Sequence, residues 1–441
     1  MNIEIIMVWE SRYEQEERTN FIPPLTAAHL AALTPKDVNV SVRHEQVSPI
    51  DYKSNSDVVA LSFMTGFANH AYEIADRFRT QGRTVVLGGP HPTLCPNEAA
   101  KHGDAVVVGE AEYTWSKLIN DIKSKRLEKI YKTDKMHDLK NLPIPRYDLM
   151  EESFFLNHYI QATRGCPYNC SFCSLKSLDK SFRMRPIEDV IRDIICYEGR
   201  NFIQNKVIWF WDDNLIGNKE YAKELFRKMI PLKKWWLSQA SIDIVNDIEL
   251  VELAAKSGCV GLFIGIETFT DENIVDMRKY QNKVNGYEKA ISILHKHGIG
   301  VMGGLMIGFD NDTYESIHKI PDYVNDLKID VPFLNILTPL YGTKIYDLYK
   351  RQGRIVTDDW SMYTGYNIVY KPNNMTSSEL REGYINVWKS LFSVKNTLKR
   401  IFRSLLCVSF SCFMASFAIN YHYAHKNFNK KTPKVKTVDF V

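Results

Sequence analysis

The sequence predicts an α/β protein: a doubly wound parallel sheet, then a second run of parallel strands and helices, then a helical C-terminal region. Three observations carry this. Short apolar runs alternate with amphipathic stretches from residue 2 to about residue 340, the pattern of parallel strands joined by helical crossovers. A proline-rich segment, "NLPIPRYDLM" (141–150), interrupts the alternation once. Past residue 340 the strand pattern fades, and the chain runs through an uncharged stretch, "SLLCVSFSCFMASFAINY" (404–421), into a basic tail, "HKNFNKKTPKVK" (425–436). The expected division is 1–135, a linker over 136–157, 158–340, and 341–441.

Composition sets the class. At 441 residues, 45% hydrophobic and 24% charged, the chain buries a large core and is neither disordered nor fibrous. Its 56 basic against 52 acidic side chains, a net +4, are too balanced for the concentrated basic face of a nucleic-acid binder. The N-terminus, "MNIEIIMVWESRYEQEE", meets acidic residues within its first turns and has no basic region followed by a long apolar run, so it reads as a buried strand of a cytoplasmic protein.

The first domain reads in order as strand 2–9, helix 23–35, strand 38–45, strand 57–64, helix 69–82, strand 83–89, helix 96–103, strand 104–109 and helix 113–125. Five strands alternating with helices make a Rossmann-like, flavodoxin-like sheet, whose ligands lie at the carboxyl ends of its strands. The loops at that edge are "MTGFANH" (64–70), "GGPHPTL" (88–94) and "GEAEYT" (109–114).

After the linker comes "TRGCPYNCSFCS" (163–174), which places Cys166, Cys170 and Cys173 within eight residues. In a reducing compartment, clustered cysteines favour metal binding or catalysis over disulfides. Cys95, Cys196, Cys259, Cys407 and Cys412, by contrast, are expected to be small buried hydrophobes. A structural zinc site wants four closed ligands, and no C-x2-C or H-x3-H lies nearby to complete one. A four-iron cluster has four corners, so three thiolates leave one open. Gly165 and Pro167 keep the segment from becoming a helix, so the thiolates can converge.

These residues resemble the radical S-adenosylmethionine (radical SAM) enzymes, whose C-x3-C-x2-C loop, with an aromatic before the last cysteine (here Phe172), holds a [4Fe-4S] cluster. The resemblance implies that the open iron binds AdoMet, which the reduced cluster cleaves to a 5'-deoxyadenosyl radical. It also implies an electron donor such as flavodoxin or ferredoxin. The apolar runs at 206–214, 235–241, 260–268, 298–309 and 331–337, with helices at 219–230, 247–258 and 286–298 between them, resemble the partial (β/α)6, TIM-type barrel of that family. Sites in such barrels lie at the carboxyl ends of strands. That rule selects Asp212, Asp213 and Asn214, Gln239, Gly265 to Thr268 and Gly304 to Phe309, and among them Asp213, Gln239, Gly265 and Glu267 as cofactor-binding residues. Asp213 has an ordinary reading as a helix cap. Glu267 is costly to bury in an apolar strand end without a partner, and it matches the Glu of the family's G-x-E segment.

The edge loops of the first domain resemble the cobalamin-binding domain that precedes the barrel in one large radical SAM subclass, the class B methyltransferases and hopanoid methylase-like proteins. The resemblance points to Thr65, Gly66, Gly89, His91, Thr93 and Glu110 as cobalamin-binding residues. The D-x-H-x-x-G signature of other cobalamin proteins is absent, so cobalamin would bind without a protein histidine, and His91 is equally a loop-capping group.

Two functions follow. One is a cobalamin-dependent methyltransferase acting on an unactivated carbon; the other is a cobalamin-dependent oxidoreductase, cyclase or carbon–carbon bond-forming enzyme. The substrate is a small molecule. The uncharged stretch and the aromatics of "WFW" and "WW" hint at a lipid-like one, although aromatics on strands are core residues by default. For residues 404–421 the two readings are a lid packed on the barrel, favoured by the serines, and an element lying on a membrane surface with lysines at the headgroups.

Overall fold

The computed structural model describes residues 1–10, 25–151, 153–154, 156–178 and 181–438; the first two residues of the helix expected at 23–35 lie outside these. Among the described residues there are fourteen strands: β1 (Asn2–Met7), β2 (Asn39–His44), β3 (Val58–Ser62), β4 (Thr84–Gly88), β5 (Ala105–Val108), β6 (Ile130–Lys132), β7 (Tyr159–Ile160), β8 (Thr163–Arg164), β9 (Arg183–Met184), β10 (Val207–Phe210), β11 (Trp235–Ala240), β12 (Cys259–Glu267), β13 (Gly300–Ile307) and β14 (Val331–Ile336).

The first sheet is all parallel in the order β2-β1-β3-β4-β5-β6. Its central strand β3 is buried at all five positions because helices cover both faces, so it reads as a continuous apolar run. The sheet has one strand more than the five expected: β6, "IYK", buries only Tyr131 and carries too short an apolar pattern to stand out.

The second sheet is also parallel, in the order β14-β13-β12-β11-β10-β7, with β7 and β14 as free edges. It curls into a partial barrel: Leu237, Val260, Met302 and Val331, from four successive strands, meet in one apolar cluster. Between β7 and β10 the chain forms a small antiparallel ladder, Thr163 opposite Met184 and Arg164 opposite Arg183, which frames the cysteine segment.

Helix starts follow local chemistry. Asn218, Asp247, Thr343, Thr376, Ser393 and Ser409 each accept a backbone N–H of the first turn with their side chains. The last two open the helices Val394–Cys407 and Phe410–Phe428, whose hairpin carries residues 404–421. The second helix packs on the barrel as expected, but at its amino-terminal end rather than over its carboxyl edge: Cys412 joins the interior cluster, and a Cβ on Gly298 would touch Ser409. No helix among the described residues is long and apolar enough to cross a membrane.

Of the cysteines expected to be buried, Cys259 and Cys412 are, Cys95 and Cys407 are half-buried, and Cys196 is exposed. Cys196 ends the helix Ile187–Cys196 on the side turned away from its buried residues.

Candidate active site

Cys166, Cys170 and Cys173 face one cavity of about 620 Å³ at the carboxyl edge of the barrel. The loop's path is set by Gly165, at φ +88°, where a Cβ would collide with the Ser181 carbonyl. Its N–H donates to Asp213 Oδ2 (3.0 Å), so Asp213 holds the loop instead of capping the helix that follows, which Asn218 caps. Beneath it, the buried Asp212 accepts the backbone N–H groups of Ala162 and Thr163 and the Thr163 hydroxyl. Burial nevertheless pushes its carboxyl up to about 7.

The three cysteines are free thiols. Burial is the main reason that the Cys173 thiol is pushed up to about 11, and the neighbouring Cys170 and Cys166 act in the same direction. Burial likewise raises Cys170, against the lowering pull of the Lys279 ammonium and the Gln281 amide. Asn214 Nδ2 lies 3.8 Å from Cys166 Sγ, and Gln281 Nε2 lies 3.9 Å from Cys170 Sγ. Buried thiols at Cys170 and Cys173, with N–H groups beside Cys166 and Cys170, suit a cationic iron–sulfur group.

The rest of the cavity wall divides by chemistry. Asp213, Gln239, Gly265, Glu267 and Lys279 make a polar side, and Phe172, Phe263, Met306, Ile336, Leu340 and Tyr363 an apolar one. Glu267 stands where β12 slips register against β13, with φ at +66°, an uncommon and costly backbone for a residue bearing a side chain. Its carboxylate is paired with Lys279 at 2.5 Å, both side chains about nine-tenths buried. A Cβ on Gly265 would strike both partners, which explains the glycine. Lys279 is the partner whose absence made Glu267 look costly. Nothing in the sequence ties residue 279 to residue 267, because the contact joins a strand end to the segment after the next helix.

The first-domain loops meet two cavities. Thr65 and Gly66 line the cysteine cavity. Gly89, Thr93 and Glu110 line a second cavity of about 390 Å³ between the edge of the first sheet and the barrel, which Trp211, Arg164 and His29 also line. Pro90, Leu175 and Leu178 border both, so the two cavities adjoin. Gly89 takes φ +97°, and a Cβ there would come within 2.9 Å of the Phe63 nitrogen. Thr93 Oγ1 donates to the Gly89 carbonyl (2.8 Å) and accepts the Gly109 N–H (3.0 Å), tying two edge loops together.

Glu110 joins the two domains. It pairs with Arg164 at 2.5 Å and with Arg183 at 2.6 Å, one residue on each strand of the ladder that frames the cysteines. Burial alone would raise its carboxyl, but the two guanidinium groups outweigh this and hold it below the usual range. His91 lines neither cavity. It is fully enclosed, with Nε2 3.1 Å from the Tyr72 hydroxyl, Nδ1 3.4 Å from Thr65 Oγ1 and Trp360 stacked edge-on at 5.3 Å.

Comparison with known proteins agrees with this geometry. Residues 160–324 match the radical SAM superfamily and residues 17–119 the B12 binding domain. The bacteriochlorophyllide d C-12(1)-methyltransferase of Chlorobaculum tepidum is 31% identical over 387 residues, covering 86% of this chain and 84% of that one. The hopanoid C-2 methylase of Rhodopseudomonas palustris is 27% identical over 355 residues, covering 77% of this chain and 66% of that one. Among solved structures, the radical S-adenosylmethionine methyltransferase TsrM of Kitasatospora setae, with cobalamin and a [4Fe-4S] cluster bound, shares the fold at a TM-score of 0.68 and 13% identity, over 97% of this chain and 99% of that one.

Proposed function

The chain belongs to the cobalamin-binding radical SAM enzymes, and on that premise we propose that it transfers a methyl group to an unactivated carbon of a largely apolar small molecule. Its cofactors are a [4Fe-4S] cluster, AdoMet and cobalamin. When bound, the cluster and AdoMet supply a 5'-deoxyadenosyl radical and cobalamin supplies the methyl group.

The observation that carries the reading is that one cavity is lined both by the three cysteines and by Thr65 and Gly66 of the first domain's edge. On this reading Cys166, Cys170 and Cys173 hold the cluster, and Asp213 keeps their loop in place through Gly165. Glu267 and Gln239 offer acceptor and donor groups to the amino acid and ribose parts of AdoMet. Phe172 packs behind the cluster loop. The glycine-lined second cavity beside Thr93 and Glu110, together with Thr65 and Gly66 on the adjoining cavity, would hold cobalamin. The apolar wall formed by Phe263, Met306, Ile336 and Leu340 receives the substrate and keeps water from the radical. The relatives are named for a bacteriochlorophyllide and a hopanoid; for this chain the wall supports only an apolar molecule. A one-electron donor of the flavodoxin or ferredoxin kind reduces the cluster, in the cytoplasm, where thiols stay reduced.

The test is anaerobic reconstitution followed by incubation with methyl-labelled AdoMet and an extract containing candidate acceptors. The reconstituted protein is expected to bind about four irons per chain and to place label in an apolar product. Alanine at any one of the three cysteines is expected to abolish AdoMet cleavage, while Cys196→Ala leaves it intact. AdoMet cleavage with a modified but unlabelled product would replace methyl transfer by ring closure or oxidation.

A further inference from the structure

The two helices of the C-terminal hairpin are built with their polar faces inward. Val394–Cys407 buries Thr397, Arg400 and Ser404, and Phe410–Phe428 buries Cys412, Ser416 and Asn420. Three of them, Arg400, Ser404 and Asn420, have side-chain partners inside. Arg400 Nε donates to Asn420 Oδ1 (2.9 Å), Ser404 Oγ to Asp330 Oδ1 (2.8 Å) and Asn420 Nδ2 to the Asp330 carbonyl (2.8 Å). Ser404, one of the serines that favoured a lid, therefore fastens the hairpin to the barrel together with Asn420.

The apolar side chains consequently point outward. Leu406 is 85% exposed, Phe410 71% and Phe402 64%, and Leu398, Phe417 and Tyr421 extend the same face along both helices. Isolated exposed apolar residues are ordinary, whereas a continuous two-helix face marks an interaction site.

Charge identifies the occupant. Between Gly383 and Val438 the chain carries ten lysines and arginines and no aspartate or glutamate, although its total is only +4. Lys395 and Lys399 are exposed beside Leu398 and Phe402, and Lys430 is exposed just past the second helix. An exposed aromatic and aliphatic face rimmed by cations, on helices neither of which is long and apolar enough to span, is the make-up of an element that lies in the headgroup layer of an anionic bilayer.

We propose that the hairpin 394–428 docks the enzyme onto an anionic lipid surface, its apolar ridge entering the headgroup boundary and its lysines meeting lipid phosphates. A second copy of the chain is the weaker occupant: a two-fold interface would set the same basic face against itself, with no acidic residue in the segment to pair. The cysteine cavity opens at the opposite, carboxyl end of the barrel strands, so docking leaves its entrance free.

The experiment is flotation of the full-length reconstituted protein with vesicles of phosphatidylcholine alone and of phosphatidylcholine with phosphatidylglycerol, at low and high salt. Binding is expected only with phosphatidylglycerol and is expected to fall at least tenfold at high salt. Phe402→Ser/Phe410→Ser, and separately Lys395→Glu/Lys399→Glu, are each expected to weaken it at least tenfold with iron content and melting temperature unchanged; the charge pair tests the same surface should the serine pair aggregate. Absence of flotation at low salt overturns the proposal. So do equal binding to neutral vesicles, binding unchanged in the folded variants, and a dimer in sedimentation that Phe402→Ser/Phe410→Ser dissociates.

Discussion

Lys279 places its ammonium 2.5 Å from the Glu267 carboxylate and 5.8 Å from the centre of the Phe172 ring, so one buried cation links the expected AdoMet-facing acid to the aromatic of the cysteine loop. The pair explains how an acid survives at the end of an otherwise apolar strand. It also explains how the strained backbone at Glu267 is held, since the ion pair fixes the side chain that the turn presents.

Removing either partner leaves a buried charge unmatched, which costs about 3 kcal/mol or more. Glu267→Ala and Lys279→Ala are each expected to lose about that much stability in urea unfolding, and the double variant clearly less than the sum, with a coupling above about 1 kcal/mol. The near-isosteric Glu267→Gln separates structure from binding: its expected signature is AdoMet affinity at least tenfold weaker in equilibrium dialysis, at unchanged iron content. Additive losses in the cycle would show that the pair contributes nothing.

Asp212 gives the fold a pH dependence whose sign can be worked out. Burial pushes its carboxyl up to about 7, against an ordinary 3.8, so the folded state holds the proton more tightly than the unfolded chain. Its contribution to stability is therefore complete below about pH 4 and is lost as the pH rises through about 7. Asp212→Asn cannot ionise and removes that slope. Urea midpoints at pH 5 and pH 8 are expected to show the variant gaining on the parent protein as the pH rises. A constant difference would mean that the N–H and hydroxyl groups from Ala162 and Thr163 keep Asp212 ionised throughout.

What the sequence disclosed, and what it did not, follows from how far each signal reaches. The cysteine triad is a local spacing, and the apolar runs of β1, β3 and β10 to β14 are local periodicities, so both were legible. β7 spans two residues and β6 three, too short for an alternation to register. Lys279 and Gln281 depend on contacts across the barrel edge, which no period encodes, whereas Asn214 followed from the strand-end rule. The C-terminal hairpin misled for a different reason. Its serines favoured a lid over the carboxyl edge, but Ser404 bonds Asp330 at the other end of the barrel, and Phe402, Phe410 and Phe417 turn outward.

His91 shows the same limit, and its placement makes a sharp prediction. As a residue at the carboxyl edge of a sheet it could reach a ligand, yet it sits sealed between Tyr72, Thr65 and Trp360, with Glu98 Oε1 3.6 Å from Nε2. Burial lowers its pKa and keeps the ring neutral, in spite of the raising influence of Glu98. A ring so enclosed supports the loop between Gly89 and Cys95 and does not present a nitrogen to either cavity. His91→Ala should therefore lose stability, by about 3 kcal/mol for the vacated volume and the stranded hydroxyls, and should melt earlier. Bound hydroxocobalamin should show the spectrum of a form without a protein nitrogen ligand, and the same spectrum in the variant. A change in the cobalt spectrum like that on losing an axial nitrogen would move His91 from the scaffold to the cofactor.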